Sequence, residues 1–292
     1  MQDAAVSQVR SFHRLVTQRV GALDDHYLSR GRPLGEARVL WEIGPEGCDV
    51  RRLRSRLGLD AGYLSRLLRA LERDRLIQVV PSERDRRVRT VRLTAAGREE
   101  RDLLDRRSNE LAASLLEPLT ASRRERLVTA MAEVERLLTA SLVEITVDPR
   151  SADARFCLGE YFAELDRRFD AGFDPVRGIA AELDLMRPPA GVFVVATLHG
   201  EPVGCGGLRF YGDDPTELKR MWVAESARGL GLGRRLLEEL ERLAAEHGTR
   251  VLRLETNRNL VEAIALYRSS GYREVAPFND LPYAHHWFEK RL

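Results

Sequence analysis

Residues 227–235 read ARGLGLGRR, and this stretch decides the fold of the second half of the chain. Glycines at alternate positions, Gly229, Gly231 and Gly233, let the backbone turn tightly and let a ligand approach peptide N–H groups without meeting a Cβ. A strand is expected just ahead of the loop over 216–223 (TELKRMWV), and an amphipathic helix just behind it over 231–247. A helix N-terminus supplies unpaired N–H donors and a partial positive charge, so strand, loop and helix together form a cradle for an anion. Arg228, Arg234 and Arg235 add full charges suited to a pyrophosphate. Two familiar phosphate loops fit poorly. A P-loop requires Lys-Ser or Lys-Thr after its last glycine, where this chain has Arg234-Arg235. A dinucleotide-binding GxGxxG starting at Gly229 needs a small residue at position 234, where an arginine holds helix and strand apart.

Around the loop, helices and strands alternate. Strands are expected near 143–147, at 191–198 (GVFVVATL), 202–211 (PVGCGGLRFY) and 250–256 (RVLRLET), and near 272–276 and 284–290. Helices are expected near 152–168, 175–186 and 260–270, with a tight hairpin turn at Gly200-Glu201. Such mixing predicts an α/β layer structure.

In the form Arg228-x-x-Gly231-x-Gly233, the loop resembles the pyrophosphate loop of the GNAT acetyltransferases. A second segment, Glu262-Ala263-Ile264-Ala265-Leu266-Tyr267-x-x-x-Gly271-Tyr272, resembles the part of that family in which an alanine, a Leu-Tyr pair and Gly-Tyr or Gly-Phe follow a strand. The two motifs stand in the family's order. The resemblance implies an α/β GNAT acyl-CoA N-acyltransferase fold with a mixed sheet over 147–292, acetyl-CoA as cosubstrate, and a primary amine, on a small molecule or a lysine, as acceptor. It also implies site roles. Arg228, Gly229, Leu230, Gly231, Leu232, Gly233 and Arg234 would bind the coenzyme's diphosphate. Main-chain groups of Met221, Trp222 and Val223 would hold its pantetheine arm, with the Val223 N–H polarising the thioester carbonyl. Asn259 is assigned to the cofactor on a looser fit, and Tyr267 is the general acid for the coenzyme thiolate. A primary amine with a pKa near ~10 is mostly protonated at neutral pH, so a general base is useful. Glu217 stands at a spacing before Arg228 similar to that of the glutamate base in some family members, and Glu255 is an alternative carboxylate. Phe169, Phe173, Asp174, Tyr283, His285, His286 and Trp287 are candidates for an acidic and aromatic acceptor wall suited to a cationic amine.

The first half reads as mainly helical. Helices are expected at 4–28, 35–44, 49–57, 61–74, 95–117 and 122–142, the last opened by a Ser122–Glu125 capping box. Between them, 76–80 and 88–93 form a hairpin around the turn-like 81–87. Helix 49–57, a turn with Gly58, and helix 61–74 N-capped by Asp60 have helix-turn-helix proportions. The second of these helices would present Tyr63, Ser65, Arg66 and Arg69 to a major groove, and the hairpin tip would bring Arg84, Arg86, Arg87 and Arg89 to the backbone or minor groove. Within 50–92 there are 13 arginines against 5 acidic residues, a cationic density that suits DNA. Asp85-x-Arg87-x-x-x-Val91-x-Leu93-Thr94-x-x-Gly97 resembles the wing signature of the MarR family of transcriptional regulators. That resemblance covers roughly 1–145. It implies a winged helix-turn-helix, a homodimer paired through the terminal helices of the domain, and a double-stranded, pseudo-palindromic DNA operator as partner. Val147-Asp148-Pro149 sets the expected boundary, giving domains 1–146 and 147–292.

The three cysteines, Cys48, Cys157 and Cys205, are odd in number and lack CxxC spacing, which argues against a disulfide framework or a metal site. No membrane span or leader is read, so a cytoplasmic location is expected. The leading expectation is a DNA-binding regulator that is also an N-acetyltransferase. The alternatives are a regulator that senses acetyl-CoA without catalysis, and an enzyme whose first half only dimerises.

Overall fold

The structure is a computed structural model that describes residues 2–23, 27–29, 31–81, 88–170, 172–174, 179–212 and 215–292. It divides into two compact units, residues 1–130 and 131–292. Strand 143–147, which the expected boundary would cut, belongs to the second unit's sheet, where Val143 to Val147 pair with Leu198 to Val194.

In the first unit, helix α1 spans Gln2–Arg19, ending short of the expected 28. Helices α2 (Leu34–Glu42), α3 (Val50–Leu57) and α4 (Ala61–Arg73) enclose a core of Val39, Leu40, Leu53, Leu64 and Leu71. α3 is capped by Asp49, which accepts from the amides of Arg51 and Arg52, and ends on Gly58 at φ 61°. Asp60 caps α4 as expected, accepting from the Tyr63 amide at 2.8 Å. Strands β2 (Ile77–Pro81) and β3 (Arg89–Leu93) pair in antiparallel fashion, and β3 also takes on β1, the two-residue Cys48–Asp49. So short a strand leaves no periodic signal in sequence, and it was not anticipated.

The base of the wing explains two positions of the Asp85–Gly97 motif. Thr94 caps α5 (Ala95–Leu116), its hydroxyl accepting from the Gly97 amide at 3.0 Å. Gly97 lies against the Leu76 carbonyl, and a Cβ there would stand 1.9 Å from that oxygen, so no other residue fits. Asp85 and Arg87 lie outside the described residues. Helix α6 (Ala121–Ser141) begins one residue before Ser122, which is therefore inside the helix and not its cap.

In the second unit, seven strands run in the order β4-β5-β6-β7-β8-β10-β9. They are β4 (Val143–Val147), β5 (Gly191–Leu198), β6 (Glu201–Arg209), β7 (Thr216–Val223), β8 (Val251–Thr256), β9 (Arg273–Val275) and β10 (His286–Arg291). β7 and β8 pair in parallel and all other neighbours are antiparallel. The hairpin between β5 and β6 turns on His199 and Gly200, at φ 54° and 75°, one residue before the expected pair. Both faces of the sheet are covered. Val194 and Ala196 of β5 face a core with Leu236, Leu237 and Leu240 of α9 (Leu232–Glu246) and Ile264 of α10 (Val261–Ser269). Phe193 and Val195, alternating with them, face Cys157, Leu158 and Phe162 of α7 (Ala152–Arg168), together with Leu183 of α8 (Ile179–Leu185). Burial on two sides is why β5 reads as a nearly unbroken apolar run.

Candidate functional site

Two cavities meet where the parallel strands part. β7 and β8 pair only at Thr216↔Leu252 and Glu217↔Arg253. The departure coincides with a bulge on the other edge of β7, where its register with β6 shifts between Cys205 and Gly207. Arg220, at that shift, has φ 59°, a costly conformation for a side chain with a Cβ. Two bonds to Glu182, at 2.8 and 3.1 Å, and the faces of Tyr161 and Phe162 hold it there. Beyond the bulge, the Ala224 N–H donates to Val203 on β6. Successive N–H groups on a strand point to opposite edges, so the Val223 N–H faces the gap that β8 has left.

The larger cavity, about 530 Å³, extends from Met221, Trp222 and Val223 past the glycine loop to Tyr267. Gly229 and Gly231 take φ 79° and 74°, a region that favours glycine, and a Cβ on either would meet nothing within 4 Å. Gly231 is the N-cap of α9 and supplies no side-chain cap, so the first-turn amides of Leu232, Gly233 and Arg234 are the uncapped donors of a 15-residue helix. Arg234 lies beside them, bonded to the hydroxyls of Ser269 and Ser270 at 3.0 and 3.4 Å. Arg228 lines the cavity with its guanidinium paired to Glu164 at 2.7 Å. This set of donors and cations fits a diphosphate.

Three expectations about cofactor contacts change. Arg235 turns away from the loop to bond the carbonyls of Ala140 and Val143 at 2.6 and 3.0 Å. Leu230 packs against the core and does not line the cavity. Asn259 is absent from its walls too, since its amide donates to the Arg168 carbonyl at 2.8 Å and ties α7 to the start of α10. A cation that sequence reading missed takes part instead. Arg136 of α6 lines the cavity and reaches the Gly229 carbonyl at 3.3 Å. It sits in a helix with no motif, upstream of the expected boundary, so nothing local in the sequence marks it.

The smaller cavity, about 330 Å³, shares Tyr161, Leu165 and Leu260 with the larger one. Phe169, Phe173, Asp174 and Tyr283 line it, the three rings lying with centroids 4.8 to 5.7 Å apart. His285, His286 and Trp287 do not reach it. His286 pairs with Glu274 at 2.6 Å, and the Trp287 indole donates to Asn279.

The carboxylates divide by environment. Glu217 lines neither cavity and is only 5% exposed. It accepts from Tyr211 at 2.9 Å and from Lys219 and Arg253 at 3.0 Å. Burial pushes its carboxyl up, but Lys219, Tyr211 and Arg253 outweigh burial and hold it below the usual carboxylate range. A carboxylate so stabilised is a poor proton acceptor, which corrects the expectation that Glu217 is the base. Glu255, one strand away on β8, lines the smaller cavity and pairs with Lys219. Tyr267 is buried on α10 and lines the larger cavity. Burial, reinforced by Tyr161 and Glu255, raises its hydroxyl well above the ordinary phenol range. Tyr161, raised by burial against the opposing pull of Arg220, stands where the two cavities join and was not foreseen.

In the first unit, Tyr63, Ser65, Arg66 and Arg69 are all exposed on α4, and Arg66 lies over the Tyr63 ring at 5.5 Å. Asp60 and the buried row of Leu64, Leu67, Leu68 and Leu71 put them on the outer face. Arg89 is exposed at the start of β3, while Arg84, Arg86 and Arg87 lie outside the described residues. Among the described residues no cluster of His, Cys, Asp and Glu could hold a metal ion, and no helix is long and apolar enough to cross a membrane.

Residues 158–272 match the acetyltransferase (GNAT) family and residues 30–88 match the MarR family. An IAA acetyltransferase of Azospirillum brasilense is 38% identical over 120 residues, covering 39% of this chain and 76% of that protein. An uncharacterised N-acetyltransferase of Schizosaccharomyces pombe is 34% identical over 97 residues, covering 32% of this chain and 60% of that protein. Among solved structures, a putative acyl-CoA N-acyltransferase from Klebsiella pneumoniae is 28% identical, with a TM-score of 0.42 over 52% of this chain and 98% of that one. The chain therefore belongs to the GNAT acetyltransferase family, joined at its N-terminal side to a MarR-family segment.

Proposed function

We propose that the second unit transfers an acetyl group from acetyl-CoA to a primary amine, and that the first unit binds operator DNA as a homodimer. The observation that carries the transferase reading is the open glycine loop over the uncapped start of α9, opening into the cavity that ends at Tyr267. Acetyl-CoA, when bound, supplies an activated thioester. The uncapped amides of α9 with Arg234 and Arg136 grip the diphosphate, and the Val223 N–H faces the gap where the acyl oxygen needs a donor. Glu255, directly or through water, takes the proton from the acceptor's ammonium group, leaving a nucleophilic amine. As the new C–N bond forms and the C–S bond breaks, the Tyr267 hydroxyl donates a hydrogen bond to the leaving sulfur. A thiolate has an ordinary pKa near ~8.5, far below that of this buried phenol. In this reading Tyr267 stays protonated and serves as a hydrogen-bond donor, in place of the general acid that the resemblance implied. Of the two protons the nitrogen loses, the first leaves through Glu255 to solvent, and the second, shed as the amide forms, is the one the sulfur keeps. Incubating the purified chain with acetyl-CoA and an amine mixture, then following thiol release and acetylated products by mass spectrometry, tests this. Release above the hydrolytic background is expected only when an amine is present.

The exposed residues Tyr63, Ser65, Arg66 and Arg69 on α4 support the DNA reading, with Arg89, and with Arg84, Arg86 and Arg87 as further expected contacts. Replacing Arg66 and Arg69 together by alanine is expected to weaken operator binding about ten- to a hundredfold. Loss of two phosphate or base contacts would also flatten the salt dependence by roughly two units of slope. A gel-shift titration across salt concentrations measures both.

Two exposed apolar stripes support the homodimer. α1 exposes Val6, Val9, Phe12, Leu15 and Val16 at helical spacing. α6, 21 residues long without a single buried one, exposes Val128, Met131, Val134, Leu137 and Leu138. Stripes of this size on a monomer mark an interface. Leu15→Glu is expected to shift the sedimenting species from dimer toward monomer.

A further inference from the structure

We infer that the smaller cavity selects an acceptor that carries a carboxylate beside its amine, an α-amino acid or a close relative, with Arg209 as the carboxylate's partner. The inference rests on the transferase reading above.

The rings of Phe169, Phe173 and Tyr283 provide the wall expected for a plain cationic amine, yet three cations, Arg209, Lys219 and Arg220, share the cavity with them. Their pairing decides what that charge does. Arg220 is held by Glu182 at 2.8 Å. Lys219 is held by Glu217 and Glu255. Arg253, behind the wall, takes the other oxygen of Glu217 at 3.0 Å. Of the charged residues that line the cavity, Arg209, Lys219 and Arg220 thus stand with Asp174, Glu182 and Glu255, and the Glu217–Arg253 pair lies outside its lining. Lys219 and Arg220 are each paired to a carboxylate, whereas Arg209 has no carboxylate partner among the described residues.

Arg209 is nonetheless fixed in place. Its guanidinium lies 4.7 Å from the centre of the Tyr211 ring, and the Tyr211 hydroxyl is anchored on Glu217 at 2.9 Å. Stacking occupies the flat face of a guanidinium and leaves its N–H edge available, the edge that matches a carboxylate in a two-point bond. A carboxylate beside the amine gives this guanidinium the anion it lacks, which a plain amine does not. The volume agrees: about 330 Å³ is near the lower end for small-molecule sites and suits one amino acid. The amine end is set by Glu255 on the same wall and by Tyr161, which opens to the larger cavity.

The test is a panel of the proteinogenic α-amino acids, their methyl esters and the corresponding decarboxylated amines, assayed with acetyl-CoA for thiol release and acetylated product. At least one free acid is expected to exceed its ester and its decarboxylated amine about ten- to a hundredfold in kcat/KM, the usual worth of a bond between charged groups. Esters hold their amines more readily deprotonated, so any intrinsic bias runs against this outcome. Arg209→Gln is expected to raise the KM of the acid and bring its kcat/KM to that of its ester, with Arg209→Lys recovering part of the loss. Esters or decarboxylated amines turned over as well as the acids by the native protein would overturn the inference and leave the transferase reading standing. So would an acid preference that survives Arg209→Gln in a folded protein. Acetylation of nothing in the panel overturns both.

Discussion

Tyr267→Phe is expected to lower kcat about a hundred- to a thousandfold with little change in the KM for acetyl-CoA. The substitution removes one oxygen from a ring that is 5% exposed and packed against Tyr272 and Phe288, so the fold and the cleft stay as they are. What is lost is a hydrogen bond made to charge that develops on sulfur only as the C–S bond breaks, an interaction of the kind that acts on kcat. The raised pKa of Tyr267 fixes a second feature. A phenol held above its ordinary range remains protonated as pH rises through that range. No limb of the pH–rate profile then belongs to Tyr267, and the variant's profile should keep the native shape at a lower height. Steady-state kinetics between pH 6 and about 10 check both points.

Glu255→Gln has the other large expected effect, a loss of about a hundredfold or more in kcat/KM, while Glu217→Gln does its damage elsewhere. Both carboxylates touch Lys219, yet only Glu255 lines a cavity. Glu217 is locked between Tyr211, Lys219 and Arg253, and its substitution leaves buried cations with reduced compensation, worth up to ~3 kcal/mol of stability. The sign of its pH dependence follows from the direction of its shift. A carboxyl whose pKa is lowered by folding stabilises the native state above the unfolded pKa and loses that contribution as pH falls through the folded one. Acid unfolding should therefore begin at higher pH in the native protein than in Glu217→Gln, relative to each protein's own neutral stability. Thermal melts over pH 3 to about 7, set beside activity assays of both variants, separate the catalytic carboxylate from the structural one.

These two glutamates also mark how far the sequence could be read. Motif residues with a local physical cause came out where expected. Gly229 and Gly231 take left-handed conformations that favour glycine, Asp60 caps α4, and the apolar run at 191–198 is a strand buried on two faces. Element positions in the second unit follow because period-2 and 3.6 patterns survive burial. What the sequence hid depends on neighbours distant in the chain. Glu217 stands at a plausible distance from Arg228, but Arg253, which closes its cage with Tyr211 and Lys219, comes from β8, 36 residues on. Asn259 is committed to α7 through Arg168, which lies far upstream. Arg136 and Tyr161 reach the cleft from helices that carry no motif. Arg209 and Tyr211 look like the polar end of an ordinary strand until the carboxylates around them are paired off.

Titration calorimetry of coenzyme A against pantetheine, which keeps the thiol arm but lacks the diphosphate, reaches the central claim most directly. If the backbone amides at the start of α9 grip the diphosphate, coenzyme A should bind with a clear saturable heat, and pantetheine should bind at least a hundredfold more weakly or not detectably. Equal affinity for the two, or no heat of binding from coenzyme A, would contradict the account.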